Sequence, residues 1–273
     1  MEFKAFWKIL RPIDCFMAVV AVFAGFIVSS GLIFVSEIFF LQLFFGFISV
    51  FVICGAGIVL NDFFDAEIDK INSPNRPIPS GKISKKTALI YSVVLFAIGL
   101  LLSFFINFYV FVLAVLNIVL EVLYAWKFKK SFFIGNLVDS WFPSTSFVFG
   151  ALIFGKLETV LWLTMLAFLA NLGREIYGDL EDVEGDLKSN AKTMPLVLGE
   201  TKSLFFARLF TIGAVLLSFV PFVLGLFNSM YLIVVFLADL LFVYSLTLEP
   251  SKNQAVTKGA MVIAMLAFIV GVL

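Results

Sequence analysis

Two stretches of this sequence carry carboxylates at a repeated spacing. The first reads Asn61-Asp62-Phe63-Phe64-Asp65-Ala66-Glu67-Ile68-Asp69, and the second reads Asp179-Leu180-Glu181-Asp182-Val183-Glu184-Gly185-Asp186. Asp62, Asp65 and Asp69 stand at offsets 0, 3 and 7, and so do Asp179, Asp182 and Asp186. In a continuous helix those offsets share one face. Asn61 joins the first stripe and Glu175 the second. Of the 19 acidic residues, ten lie within 62–69 or 175–186, a density that repels itself unless cations sit among the carboxylates. Histidine is absent, which excludes imidazole bases and His-ligated zinc or haem. The donors that remain are hard oxygens, suited to magnesium or manganese. Magnesium usually binds through one or two carboxylates together with substrate phosphates. Two such sets facing each other would hold two or three ions and clamp a diphosphate between them. Arg76, Lys82, Lys127, Lys188 and Lys192 are expected beside the clusters, where they would neutralise the remaining phosphate charge. The expected metal ligands are therefore Asn61, Asp62, Asp65, Asp69, Asp179, Asp182 and Asp186. The expected catalytic set is Asn61, Asp65, Asp69, Asp182 and Asp186. A single acidic run would read as a solvated loop; the duplicated spacing, each copy fused to an apolar run, argues against that.

The elements that position these residues must be membrane helices. The chain is 62% hydrophobic, with 36 Phe and a mean hydropathy of +1.10, more apolar surface than a soluble domain of this length can hide. A spanning helix needs about 20 apolar residues, and nine runs qualify: 12–30, 38–62, 85–105, 107–126, 134–154, 158–178, 203–226, 229–248 and 255–273. Breaks of Gly, Pro, Asn or charge separate them, the weakest near Ile106-Asn107. The first run lacks a small-residue cleavage pattern and reads as a retained helix. The expected architecture is all-α, a polytopic bundle of nine transmembrane helices around a central cavity, with 1–273 as a single domain. With the N-terminus in the cytoplasm, 18 of the 19 basic residues fall on the cytoplasmic side and only Lys156 on the other, as the positive-inside rule asks. Both acidic stretches then face the cytoplasm. Cys15 and Cys54 lie in apolar runs and read as packing residues.

The two stretches resemble each other beyond their aspartates. Lys70, Asn72, Arg76 and Pro79 follow the first, and Lys188, Asn190, Lys192 and Pro195 follow the second, as in an internal repeat. Asn61-Asp62-x-x-Asp65-x-x-x-Asp69, followed by Asn75-Arg76-Pro77-Ile78-Pro79-Ser80-Gly81, resembles the first signature of the UbiA superfamily of intramembrane prenyltransferases. Asp179-x-x-Asp182-x-x-x-Asp186 resembles the second. The resemblance covers essentially the whole chain. It implies Mg2+-dependent prenyl transfer: an isoprenoid diphosphate donor held by metal on the aspartates, its tail in an apolar cavity open to membrane lipids, and a lipid-like acceptor that captures the allylic cation. The Phe-rich composition suits this, since aromatic faces stabilise cations. No nucleic-acid partner is implied.

Arg174 to Asp186 with Ala191 to Pro195, Tyr124 to Lys130, and Gly135-Asn136 are similar to one archaeal branch of that superfamily. That branch joins geranylgeranyl diphosphate to the free hydroxyl of geranylgeranylglyceryl phosphate, making the second ether bond of archaeal lipids. The resemblance adds Tyr124, Asn136 and Arg174 to the expected substrate contacts. An anionic acceptor would also suit Arg11, Lys127, Lys129 and Lys130, which equally serve as positive-inside anchors. Where many members carry Asn two residues after the early Arg-Pro, this chain has Asp14, which also reads as a carboxylate complementing a helix N-terminus. Asn117, Glu121, Asn136, Asp139 and Asp239 interrupt apolar runs, and intramembrane polar groups tend to face the bundle interior. Glu121 and Asp139 are expected to line the cavity, to take the acceptor's proton, or equally to form hydrogen-bonded structural pairs. Two alternatives remain: a member with another acceptor, such as chlorophyllide or a quinone precursor, and a cation transporter. Transporters place coordinating groups near the bilayer midplane, whereas these clusters stand at helix ends.

Overall fold

The structure, a computed structural model, describes residues 3–31, 36–188 and 190–273. Every regular element among them is helical. A short α1 (Phe3–Ile9) leads into α2 (Pro12–Ser30), and α3 (Glu37–Phe64) with α4 (Ala66–Asn72) carries the first acidic stretch. Then come α5 (Lys85–Ile106), α6 (Phe108–Trp126), a 3-10 turn over Phe128–Lys130, and α7 (Ile134–Phe154). The second acidic stretch lies on α8 (Glu158–Glu181) and α9 (Val183–Lys188). The order ends with α10 (Met194–Leu198), α11 (Glu200–Leu217), α12 (Val220–Val223), α13 (Ser229–Ser245) and α14 (Pro250–Val270).

Among the described residues, eight helical segments are long and apolar enough to cross a bilayer: α2, α3, α5, α6, α7, α8, 200–223 and α14. The chain is a multi-pass membrane bundle. Of the nine expected spans, 229–248 is the one outside these eight, because α13 has only 17 residues. The weak break near Asn107 is real and has a clear cause. Asn107 is extended, its Oδ1 accepts from Val110 N at 2.9 Å, and its Nδ2 donates to Leu152 O at 2.9 Å. One side chain thus caps α6 and ties its start to the end of α7. The expected single run over 203–226 is interrupted instead. Pro221 cannot donate to the preceding turn, and the Ser218 hydroxyl bonds back to Val215 O at 2.7 Å. α14 begins earlier than expected, with Pro250 in its first turn, where a missing N–H costs nothing.

The larger correction concerns the acidic stripes. They do not lie on two continuous helices. The chain bends at Asp65 (φ −84, ψ 1) between α3 and α4, and at Asp182 (φ −95, ψ 9) after α8. Each bend falls on the middle aspartate of its motif.

Close helix approach makes the frame stiff. α2 lies against α7, and α3 against α5. At the first of these seams a Cβ added to Gly25 would overlap the Phe147 carbonyl, and one added to Gly150 the Val22 carbonyl. Small residues let membrane helices touch backbone to backbone, where dispersion and not water expulsion drives packing. Ser29 Oγ completes this seam by donating to Lys156 O at 2.6 Å. Outward faces of α5 and α6 present Val93, Phe104, Phe108 and Val119 to lipid. Gly150→Val should force α2 off α7 and destabilise the protein by roughly 1–3 kcal/mol, read as a lowered Tm in detergent. Gly213→Ala, at a helical glycine with open space around it, should leave Tm unchanged or raise it.

Candidate functional site

The two bends are made the same way. Asp65 N bonds to Asn61 O at 2.9 Å and Asp69 N to Asp65 O at 2.8 Å. In the second motif, Asp182 N bonds to Gly178 O at 3.0 Å and Asp186 N to Asp182 O at 2.9 Å. The four-residue ladder therefore continues through each corner while the axis turns. Both corners stand at the same end of the bundle and meet across a polar cavity of about 210 Å³. Asp65 and Asp69 line one side; Asp179, Asp182 and Asp186 line the other. A second cavity of about 550 Å³ shares Asp65, Arg76, Tyr124, Lys129, Asp139, Glu175 and Asp182 with the first, and extends among α2, α3, α6, α7, α8, α13 and α14. Its walls there include Met17, Phe142, Phe147, Phe242 and Phe268.

Cations hold the carboxylates together. Arg76 Nη1 donates to both oxygens of Asp69, at 2.7 and 2.6 Å, and lies 3.6 Å from Asp62. Arg11 Nη2 reaches Asp62 at 2.8 Å, and Lys129 pairs with Asp65. Arg11 takes a left-handed backbone (φ 47) just before Pro12. That conformation is uncommon for a non-glycine residue and persists only where the surroundings over-determine it. Here the guanidinium is anchored on an aspartate that is only 3% exposed. Across the cavity, Asn136 Nδ2 donates to Asp179 at 2.8 Å.

The electrostatics follow from this crowding. Burial alone would lower the Arg76 pKa, but Asp69 and Asp62 raise it overall. Asp182 opens to solvent at the mouth, yet enough protein surrounds it that lost hydration raises its pKa, against the pull of Lys129 and Arg76. Partial burial likewise raises Asp186, against the Thr193 hydroxyl and Lys129.

Among the described residues no three acids stand close enough to form a ready metal cage, and Arg76 and Lys129 engage Asp69 and Asp65. The donor chemistry nevertheless fits a hard cation. Asn61 Oδ1 is buried without a hydrogen-bond partner, at the first position of the motif that leads to Asp65. A buried acceptor left so is costly, and a cation bound to Asp65 would satisfy it.

Five of the expected substrate contacts reach the cavities: Arg11, Arg76, Tyr124, Asn136 and Arg174. Four do not. Lys82, Lys127, Lys188 and Lys192 are exposed and stand in neither cavity wall. Proximity in sequence placed Lys82, Lys188 and Lys192 near the motifs, and the similarity over Tyr124 to Lys130 placed Lys127 there, but all four side chains stand exposed. Lys129 and Lys130, one turn beyond Lys127, line the polar cavity instead. Lys192 contributes only its backbone N–H, to Lys130 O at 3.0 Å. Glu67, inside the first acidic stretch, faces out and pairs with Lys70 at 2.7 Å. Asp14 faces the large cavity and accepts from Lys258 Nζ at 3.0 Å, a pairing over 244 positions that no local signal announces.

The sequence from 18 to 271 matches the model of the UbiA prenyltransferase family. The chain belongs to that family. Digeranylgeranylglyceryl phosphate synthase of Thermococcus kodakarensis is 42% identical over 226 residues, 83% of this chain and 80% of the relative. The enzyme of the same name from Methanocaldococcus jannaschii is 39% identical over 278 residues, 99% of this chain and 96% of the relative. A solved structure of a digeranylgeranylglyceryl phosphate synthase superposes with a TM-score of 0.80 at 37% identity, over 98% of both chains. A UbiA homologue from Archaeoglobus fulgidus, solved with GPP and Mg2+, shares the fold with a TM-score of 0.74 at 18% identity, over 97% of this chain and 99% of that one. This UbiA chain therefore keeps the family's bundle from end to end.

The raised carboxylate at Asp186 has a sign that can be checked. The folded protein holds that proton to higher pH than the unfolded chain. Metal-free stability should therefore fall as pH rises from the ordinary carboxylate range through the raised pKa. Asp186→Asn removes this titration. In chelator at neutral pH the variant should melt above the parent, with a flatter dependence over that window, as followed by thermal unfolding in detergent.

Proposed function

We propose that this UbiA protein transfers a geranylgeranyl group from geranylgeranyl diphosphate to the free hydroxyl of geranylgeranylglyceryl phosphate. The product carries the second ether bond of archaeal membrane lipids. One observation carries the reading: two aspartate sets, 117 positions apart from Asp65 to Asp182, converge at the polar end of a cavity that is otherwise walled by aromatic and aliphatic side chains. A molecule with a diphosphate head and a long apolar tail matches that polarity. The names carried by full-length relatives support the choice of acceptor.

Asn61, Asp65, Asp69, Asp179, Asp182 and Asp186 are assigned to holding Mg2+ and, through it, the donor. Asp62, enclosed by Arg11 and Arg76, orients those guanidiniums at the edge of the same site. Bound metal would supply Lewis-acid stabilisation of the leaving diphosphate. Arg76 and Lys129, displaced from their carboxylates, then face the phosphate oxygens and favour the charge that develops on them. Tyr124 and Asn136 shape the passage between the polar and apolar cavities. Phe142, Phe147, Phe242 and Phe268 exclude water from the allylic carbon, which protects the cation from hydrolysis.

The same reading includes nine spans, a cytoplasmic N-terminus and a single domain over 1–273. α13 supports the ninth span by linking opposite ends of the bundle. At its start Asn228 N bonds to Gly271 O at 2.9 Å, and at its finish Asn253 Nδ2 bonds to Ser245 O at 2.8 Å. Seventeen helical residues reach about 26 Å, within reach of a thinned or locally matched bilayer. The basic residues crowd the end that holds the aspartates, which supports a cytoplasmic placement of that end.

Purified protein supplied with labelled geranylgeranyl diphosphate, Mg2+ and a panel of acceptors should label geranylgeranylglyceryl phosphate. Labelling of chlorophyllide or quinone precursors in its place would refute the acceptor. Asp65→Ala and Asp182→Ala should each lower kcat by about 100-fold or more without lowering Tm.

A further inference from the structure

Ether formation leaves one proton to place. As the acceptor oxygen bonds to the allylic carbon, the carbon–oxygen bond to diphosphate breaks and diphosphate departs with the electron pair. The hydroxyl proton must pass to a base in a site from which water is excluded. Most carboxylates in the cavity walls are already engaged, and Asp182, which has no hydrogen bond or ion pair of its own among the described residues, stands exposed at the mouth within the aspartate motif. Asp62, Asp65 and Asp69 carry guanidinium or ammonium partners, and Asp14 accepts from Lys258 at 3.0 Å. Asp239 accepts from Ser218 Oγ at 2.8 Å, Glu175 pairs with Arg174, and Asp139 meets Glu175.

Glu121 differs from all of these. It is 8% exposed, it lies in the wall of the large cavity, and no hydrogen bond or ion pair reaches it among the described residues. Its carboxyl rests on the backbone of Gly57, where an added Cβ would come within 2.5–2.7 Å of the carboxyl carbon and both oxygens. Gly57 therefore makes the niche in which the carboxyl sits. Gly57 is one helical turn before Asn61, and Glu121 is about one turn before Tyr124, which lines both cavities. The carboxyl thus stands one turn deeper than the aspartates, on the tail side of the diphosphate. The first carbon of the donor must lie in that layer. The ionisable groups facing it are Cys54 on α3, Tyr124 on its own helix and Asp139 on α7; none of them carries a positive charge to hold its proton equilibrium in place.

We propose that Glu121 is the base for the acceptor: its carboxylate receives the hydroxyl proton as the ether bond forms, and releases it to water when the product leaves. The inference rests on an alcohol acceptor, as in the reading above, and names a catalytic residue outside the aspartate motifs. An unengaged carboxylate buried in a membrane protein is expensive, and a functional role explains its presence where a structural pair does not.

The test uses the full chain in detergent with geranylgeranyl diphosphate, geranylgeranylglyceryl phosphate and Mg2+. Glu121→Gln keeps size and polarity but cannot take the proton. Its ether formation should fall by about 100-fold or more, while donor affinity and Mg2+ dependence stay within about twofold. Glu121→Asp keeps a carboxylate and should recover at least about tenfold over the Gln variant. The proposal is overturned if Glu121→Gln keeps more than about a third of the rate, if donor affinity falls in step with turnover, or if Asp does no better than Gln. A wild type that makes no ether from geranylgeranylglyceryl phosphate would strike the acceptor assignment instead. The same comparison is then run with the alcohol that the wild type does accept.

Discussion

Like charges brought together at the edge of a low-dielectric bundle set the terms for the rest of this molecule. Two unit charges a few ångströms apart near a protein surface interact with several kcal/mol, and here at least five carboxylates border one small cavity. Such a constellation survives folding only if cations are built in. Arg76 bridges Asp62 and Asp69, Arg11 closes on Asp62, and Lys129 on Asp65. These cations come from α1–α2, from the turn after α4 and from the turn after α6. Balancing the aspartates therefore also ties three distant segments to one point. In the proposed function the same cations would meet phosphate once a metal took their place, so that one device would serve both stability and binding.

The apolar part of the bundle keeps that point in position. Gly25 and Gly150 allow α2 and α7 to touch along their backbones, and the Ser29 and Asn107 side chains tie helix ends at the side away from the aspartates. Serines and threonines in mid-helix return their hydroxyls to carbonyls one turn back, as at Ser140, Ser144 and Thr211. Their polarity is satisfied locally and places no demand on lipid. A frame held in this way can carry a sharp corner at Asp65 and another at Asp182 without either motif drifting away from the other.

Much of this was legible beforehand, and what was missed has clear causes. Span limits came out within a few residues for most helices, because hydrophobic length and breaker residues are local signals. The Ser218–Pro221 interruption escaped because a single proline in an apolar run reads as tolerated. The continuous acidic stripe was wrong at Asp65 and Asp182. Periodicity reports which residues share a face of an ideal helix, and it is blind to a bend that preserves the four-residue ladder. The lysines were the weakest part. Lys82, Lys188 and Lys192 were grouped with the site by distance along the chain and Lys127 by the resemblance of its segment, whereas the direction of each side chain decided membership. Lys129 entered the site and Lys127 did not, although two positions separate them.

By itself the sequence determined a helical membrane chain, the duplicated aspartate motif and the set of oxygen donors that motif offers. All of these rest on composition and on spacing within a few turns, where each residue's neighbours are set by the covalent chain. Tertiary structure decided which carboxylates are balanced and that Glu121 is buried without a partner. Asp14 with Lys258, Arg11 with Asp62, and Glu121 against Gly57 join residues tens to hundreds of positions apart. No rule of spacing reaches that far, because such partners are selected by how whole helices pack, and only the packed bundle brings them within a few ångströms.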